Sequence, residues 1–290
     1  MESVLPRSMR TPLALAATWM SGWLVMMLVM AIAGREVLRE LDVFQVMELR
    51  SLIGFAMLWP LVHAAGGLRA MGTARLGQHV LRNVAHYAAQ YCWLAALLLI
   101  PLAQVVAIEF TMPIWSAALA VALLGERMDR GKWIAVALGL AGVVAIVRPS
   151  ASALDIGHLV ALASAVGFSA SVVLVKSLTR TDEAVKISFW MLVVQGAIGL
   201  VPALQVWVLP SAVVWGWATV VSFCGVYAHY CLARAMAYAP ATVLVPMDFV
   251  RVPLTAVLGW AVYGEAADAF TFAGVLLIFA GNLLNLRRRG

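Results

Sequence analysis

Four charged side chains sit inside long apolar runs of this chain: Arg50, Glu109, Asp248 and Arg251. Helix rise is about 1.5 Å per residue and a hydrocarbon layer is about 30 Å thick, so position in a run converts to depth. Glu109 follows Pro101 by eight residues and Asp248 follows Pro240 by eight, which puts each carboxylate roughly 12 Å deep. Arg251, one turn past Asp248, falls near the midplane. Arg50 lies about 10 Å down from its end of the run. A lone charge at such depth costs from about 3 to more than 10 kcal/mol, so these groups must face a protein interior and find partners. Two readings follow. In one they form a structural network, Asp248 with Arg251 at i, i+3 and Arg50 with Glu109 across helices. In the other they line a solute pathway: arginines hold an anionic group in bidentate fashion, and burial lets a carboxylate exchange a proton. Glu109 is the favoured proton carrier, because Asp248 has an arginine one turn away.

A second set is polar-tipped and aromatic: His86, Gln90, Tyr91 and Trp93 in one run, Tyr227, His229 and Tyr230 in another. Facing a cavity, such residues suit a small amphipathic solute; facing neighbours, they supply interhelical hydrogen bonds and packing. His229 stands out among them, though proton relay through it is a weaker expectation than through the carboxylates. No catalytic set and no metal site emerges, since the five histidines lack HxxH or HExxH spacing. No cofactor motif is present. The cysteines Cys92, Cys224 and Cys231 lie in apolar runs without a CxxC and read as small buried residues.

The elements that carry these residues follow from composition. Of 290 residues, 64% are hydrophobic and 12% charged, with a mean hydropathy of +0.95. Twenty Lys and Arg with fourteen Asp and Glu cannot cover the surface of a water-soluble enzyme of this length. The pattern is that of an all-α integral membrane protein. Apolar runs mark ten spans near 13–33, 44–64, 80–98, 101–124, 132–148, 156–176, 187–208, 213–234, 241–263 and 269–286. The first has Arg7 and Arg10 before it and Ala31-Ile32-Ala33 within it, but it is too long for a signal peptide's apolar core. The net charge of +6 does not mark nucleic-acid binding, because no basic cluster is interleaved with exposed aromatics.

The positive charge instead reports orientation. With the N-terminus inside, fifteen Lys and Arg fall on the cytoplasmic side, Arg82 among them, against three outside: Arg35, Arg39 and Arg148. Both termini are therefore expected in the cytoplasm, with the chain crossing a cell membrane, as in a bacterial inner membrane.

The two halves, 1–150 and 151–290, repeat at an offset near 139 residues. Ala89-Gln90-Tyr91-Cys92 matches Ala228-His229-Tyr230-Cys231; Pro101 matches Pro240, Glu109-Phe110 matches Asp248-Phe249, and Gly125-Glu126 matches Gly264-Glu265. Five spans per half is odd, so the second half runs opposite to the first, an inverted repeat of the kind that builds two gates around one central site. Small-residue stripes (Ala135, Gly139 and Gly142; Gly274, Ala280 and Gly281) permit close helix packing within one chain or at a homodimer face. Glu126 and Glu265 end their spans where a carboxylate can meet the N-terminus of the next helix. Pro113, Pro246 and Pro253 are expected to kink their spans and free carbonyls near Glu109 and Asp248.

Leu124-Gly125-Glu126 followed by the Gly-rich stretch to Gly142, and its echo Tyr263-Gly264-Glu265 with Ala280-Gly281, resemble the EamA-type repeat of the drug/metabolite transporter superfamily. The resemblance covers essentially the whole chain. It implies ten transmembrane helices as two inverted five-helix EamA repeats, and secondary transport of small metabolites or drugs, often export. It leaves the substrate open. Met247-Asp248-Phe249-Val250-Arg251 departs from the more neutral residues usual in that span.

No GxxxxGK[ST] loop is present to couple ATP. The expectation is alternating access with proton exchange, exporting a small zwitterionic or anionic metabolite; uptake or exchange by the same fold is the runner-up. A lipid-modifying membrane enzyme would need acids clustered at one face, whereas these are dispersed at mid-depth.

Overall fold

The computed structural model describes residues 7–124, 130–147, 156–178, 180–239, 244, 247–248, 250–265 and 268–287. The helices are α1 (Arg7–Val37), α2 (Val43–Ala64), α3 (Leu76–Leu99), α4 (Leu102–Glu109), α5 (Met112–Leu124), α6 (Arg130–Val147), α7 (Ile156–Leu178), α8 (Ala184–Gln205), α9 (Ala212–Tyr238), α10 (Arg251–Tyr263) and α11 (Ala269–Arg287). They supply the ten spans read from the sequence, with α4 and α5 as two halves of the fourth and α10 as the second half of the ninth. Five of them, α1, α2, α7, α8 and α9, hold runs long and apolar enough to cross a bilayer. At 24 residues α3 is equally long, but a polar stripe keeps it out of that set. The core is apolar, but the outer surface is apolar too, and polar side chains are enclosed with the core. Gln45, Asn83, Gln195 and Asn282 are inside, while Leu209, Val213, Trp260 and Leu276 are outside, as lipid requires.

Packing follows the inverted repeat. α1 lies on α9 and, equivalently, α3 on α7; α2 packs on α8 and α6 on α11, each a pair of corresponding elements from the two halves, and α4, the first half of the fourth span, packs on α10, the second half of the ninth. α6 and α11 approach closely. A Cβ on Gly142 would meet the Gly274 carbonyl at 2.6 Å, and one on Gly274 the Gly142 carbonyl at 2.5 Å. The glycines thus bring two backbones into contact within one chain, which is where the small-residue stripes do their packing.

The fourth span breaks directly after Glu109, with α4 ending there and α5 starting at Met112. Pro113 has no N–H to offer the Glu109 carbonyl, so the helix cannot run through. The Phe110 carbonyl, left free because Ile114 N–H bonds Thr111 O, accepts from Asn282 Nδ2 of α11 at 2.8 Å, and Ser169 Oγ of α7 donates to Met112 O at the start of α5 at 2.9 Å. Pro253 differs from its expectation. It falls in the first turn of α10, where its missing N–H costs nothing, so it begins a half-helix and does not bend one. Pro246 lies outside the described residues.

α10 ends at Gly264, whose φ of 68° is left-handed, and the turn is closed by Gly264 N–H to Trp260 O and Glu265 N–H to Gly259 O. This reversal aims the Glu265 carboxylate back across the bundle. It pairs with Arg35 of α1 and accepts the Leu102 N–H at 2.9 Å. Glu265 therefore caps a helix N-terminus, but that of α4 and not of the following α11, because the turn points it inward. Arg35 also donates to Leu97 O and Ile100 O, so one latch ties α1, the α3–α4 turn and α10 at the face opposite the N-terminus. Glu126 lies outside the described residues.

Candidate functional site

Both half-helix junctions arrive at the same place. Arg251, the first residue of α10, donates Nη2 to Glu109 Oε1 at 2.9 Å and holds its Nε 3.6 Å from Asp248 Oδ1. Its guanidinium also lies over the Phe110 ring, 4.8 Å from the centroid. Two indoles complete the carboxylates: Trp93 Nε1 donates to Glu109 at 3.0 Å from α3, and Trp23 Nε1 to Asp248 at 2.7 Å from α1. Arg251 is 4% exposed. The cluster joins α1, α3, α4 and α10, draws on both repeats, and carries two acids for one base. A protein-lined centre with excess negative charge attracts a proton or a cationic group.

Of the residues singled out from sequence, Glu109, Asp248, Arg251 and Trp93 converge here. Arg50 does not. Instead of pairing with Glu109, it donates Nη2 to Gln195 of α8 at 2.7 Å, because equal depth does not bring two helices' faces together. The partner of Glu109 is Arg251. Arg251 is also nearer to Glu109 than to Asp248, so proximity to an arginine no longer singles out Glu109 as the proton carrier. Gln90 is buried one turn from Trp93 along α3. Tyr91 and Tyr230 are 37% and 51% exposed and pack on Phe44 and Trp19, so they face outward and not into the centre. The His229 side chain lies outside the described residues. Among the described residues no group of His, Cys, Asp and Glu is arranged to hold a metal. Cys224 and Cys231 are buried, while Cys92 is only half-buried.

The structure adds residues that the spans concealed. Trp23 is one; nothing in its neighbourhood marks it. Glu48, Asn83, Tyr87 and Gln195 are others, each polar and buried between α2, α3 and α8. Their signal was available as polar residues spaced three or four apart in otherwise apolar helices. Arg82, counted with the cytoplasmic charges, is inside α3 and only 9% exposed.

An all-helical bundle with apolar outer walls, inverted internal symmetry and a charged centre defines a polytopic membrane transporter. The chain belongs to the EamA-like transporter family, which matches it twice, over residues 14–148 and 155–287. It is 29% identical over 239 residues to a riboflavin transporter of Rhizobium johnstonii, covering 81% of this chain and 78% of that one. It is 23% identical to an S-adenosylmethionine uptake transporter of Rickettsia prowazekii, covering 84% and 83%, and 26% identical to the pseudopaline exporter CntI of Pseudomonas aeruginosa, covering 88% and 90%. A solved crystal structure shares the fold with a TM-score of 0.64 at 20% identity, over 94% of this chain and 98% of that one.

Proposed function

We propose that this protein is a secondary active transporter that exports a small zwitterionic or anionic metabolite in exchange for protons. The observation that carries the reading is Arg251 shared between Glu109 and Asp248 where the two repeats meet. An inverted repeat offers two related arrangements of the bundle around one centre. With two acids against one base, the centre holds either a proton or the cationic group of a solute. Competition between the two couples their opposite movements. We assign the exchange to the carboxylate pair, with Asp248 the more loosely held member at 3.6 Å from Arg251. Alternating access then exposes the pair to each side in turn. Membership in a transporter family and the apolar outer surface support a multi-pass protein of the cell membrane; the Lys and Arg distribution supports cytoplasmic termini.

Uptake is the second reading, favoured by relatives named as S-adenosylmethionine uptake transporters; the riboflavin and pseudopaline relatives show that solutes differ within this likeness. Proton flux driven by a solute gradient, measured with purified protein in liposomes, tests the proposal. Asp248→Asn is expected to bind solute without moving protons. Coupled flux that persists in both Asp248→Asn and Glu109→Gln overturns the assignment.

A further inference from the structure

A second buried charged cluster, separate from the central one, has the opposite sign. One face of α3 presents His79, Arg82, Asn83, Tyr87, Gln90 and Trp93, all buried, at the three- and four-residue steps of one helical stripe. Both ends of the stripe are accounted for: His79 bonds Asp182 at 2.8 Å, and Trp93 bonds Glu109. Its middle is not. Arg50 reaches in from α2 and donates to Gln195 of α8. Gln195 in turn donates to Asn83 Oδ1 at 3.4 Å, and Arg82 Nη1 donates to the same oxygen at 2.6 Å. Two guanidiniums from different helices are thus fixed in one frame by neutral amides.

Neither arginine has a carboxylate within ion-pair distance among the described residues, and the Nε of each is buried without a hydrogen-bond partner, as is the Tyr87 hydroxyl. The other arginines inside the bundle are treated differently: Arg35 has Glu265, and Arg251 has Glu109 and Asp248. Glu48, a nearby acid, sits two residues from Arg50 and so about 200° around α2. Its Oε2 has no partner either, and it reaches neither arginine. A buried cation without an anion is costly. Two of them, aligned by amides that cannot neutralise them, suit a ligand that brings the missing charge and accepts the unused N–H groups in bidentate fashion.

We propose that Arg50 and Arg82 form an anion-binding subsite for a carboxylate or phosphate group of the transported solute. Along α3 the frame at Asn83 and Tyr87 lies six to ten residues from Trp93, hence roughly 9–15 Å from the Glu109–Asp248 pair, toward the face where α1 begins. A surplus of acid at one end and of base at the other selects a zwitterion with separated charges, or an anion with a hydrogen-bonding far end. This selection rests on the transport reading above; the subsite itself does not.

The test is thermal unfolding of the full-length protein in a neutral detergent without phospholipid, titrated with succinate or inorganic phosphate against chloride at matched ionic strength. A saturable rise in unfolding temperature is expected for the wild type. Arg50→Gln and Arg82→Gln are expected to weaken the apparent affinity at least tenfold, with unliganded stability unchanged or raised, since an unpaired charge is removed. Arg50→Lys and Arg82→Lys keep the charge and should retain part of the response, which covers failure of the neutral variants to fold. Arg75→Gln, whose arginine bonds Ser177 at the end of the bundle, should respond like wild type. Absence of a saturable response in the wild type, or equal responses in the wild type and both neutral variants, overturns the subsite. So does stabilisation by phosphatidylglycerol in nanodiscs with none from either soluble anion, which would assign the arginines to a lipid headgroup. The readout is binding without a gradient, so its failure leaves the transport reading standing, and loss of coupled flux leaves the subsite standing.

Discussion

Arg251 of α10 and Glu109 of α4 meet at 2.9 Å, and this contact ties the second repeat to the first where both have broken helices. Each residue sits at the end of a half-helix: Glu109 closes α4 and Arg251 opens α10. The guanidinium that opens one half-helix thus bridges to the last residue of the half-helix packed against it, and Asp248 shares the same base from one turn away.

Arg251→Ala leaves two carboxylates facing each other in a nearly enclosed space. Breaking a buried pair by removing one partner costs about 3–5 kcal/mol, so a large fall in unfolding temperature and loss of transport are expected. Arg251→Lys restores charge but not a fork that reaches both acids, and should recover stability more than transport. Thermal unfolding beside solute flux checks both; an alanine variant as stable as wild type removes Arg251 from its joining role.

Trp93→Phe keeps the ring in place and deletes the N–H that Glu109 accepts. A hydrogen bond to a charged group is worth about 1.5–3 kcal/mol, and the change is expected in the solute's apparent affinity and in the pH dependence of flux. Trp23→Phe tests the same relation at Asp248. Identical pH profiles for wild type and both variants would show that the indoles only pack.

Gly274→Leu places a side chain where the Gly142 carbonyl passes 2.5 Å from a built Cβ, and α6 cannot withdraw without leaving α11. Aggregation or loss of a monodisperse peak on size-exclusion chromatography is expected. Gly216→Ala, with nothing within 4 Å of its added Cβ, serves as the tolerated control. Equal stability of the two would falsify the close approach.

Asp182, in the turn between α7 and α8, links that turn to α3. Burial pushes its carboxyl up, but hydrogen bonds from His79 and Thr73 and the Lys186 charge outweigh this and hold it below its ordinary value. A depressed carboxyl contributes stability that is present above its unfolded value of about 3.9 and is lost as pH falls through the folded one. Unfolding temperatures followed from pH 7 down past 4 should therefore drop more steeply in wild type than in Asp182→Asn. Parallel curves would remove Asp182 from the acid response.

Glu265→Gln weakens the latch to Arg35 while keeping an acceptor for the Leu102 N–H. The face opposite the N-terminus should then open more often. Maleimide labelling of Ile100→Cys, in a background with Cys92, Cys224 and Cys231 replaced by Ser, reads this, since Ile100 is 3% exposed beneath the latch. Faster labelling with Glu265→Gln is expected; an unchanged rate would mean that the latch does not govern access.

Asp248 and Arg251 were legible together because i, i+3 spacing on one chain segment is local. The break after Glu109 was legible for the same reason, Pro113 lying four residues on. Glu265 as a cap was half legible: its position at a helix end shows in the sequence, but the helix it caps depends on a left-handed turn aiming it at α4. The pairing of Arg50 went astray on geometry. Residue count along a run yields depth alone, and two groups at one depth meet only if their helices are neighbours with faces turned together. Gln195 and Asn83, which do meet Arg50 or its partner, lie on helices that no local pattern brings to α2.

By itself the amino-acid order determined that the chain spans a membrane with helices, how many spans it has, and that its halves run in opposite directions. Those properties rest on composition, run length and an odd number of spans per repeat, which are summed along the chain. Tertiary packing alone decided which charges neutralise one another, that the glycines of α6 and α11 close on each other inside one chain, and that Arg50 and Arg82 share a frame with no acid at ion-pair distance among the described residues. Such matters depend on the rotation of each helix about its own axis and on its neighbours, and packing of the whole bundle sets both.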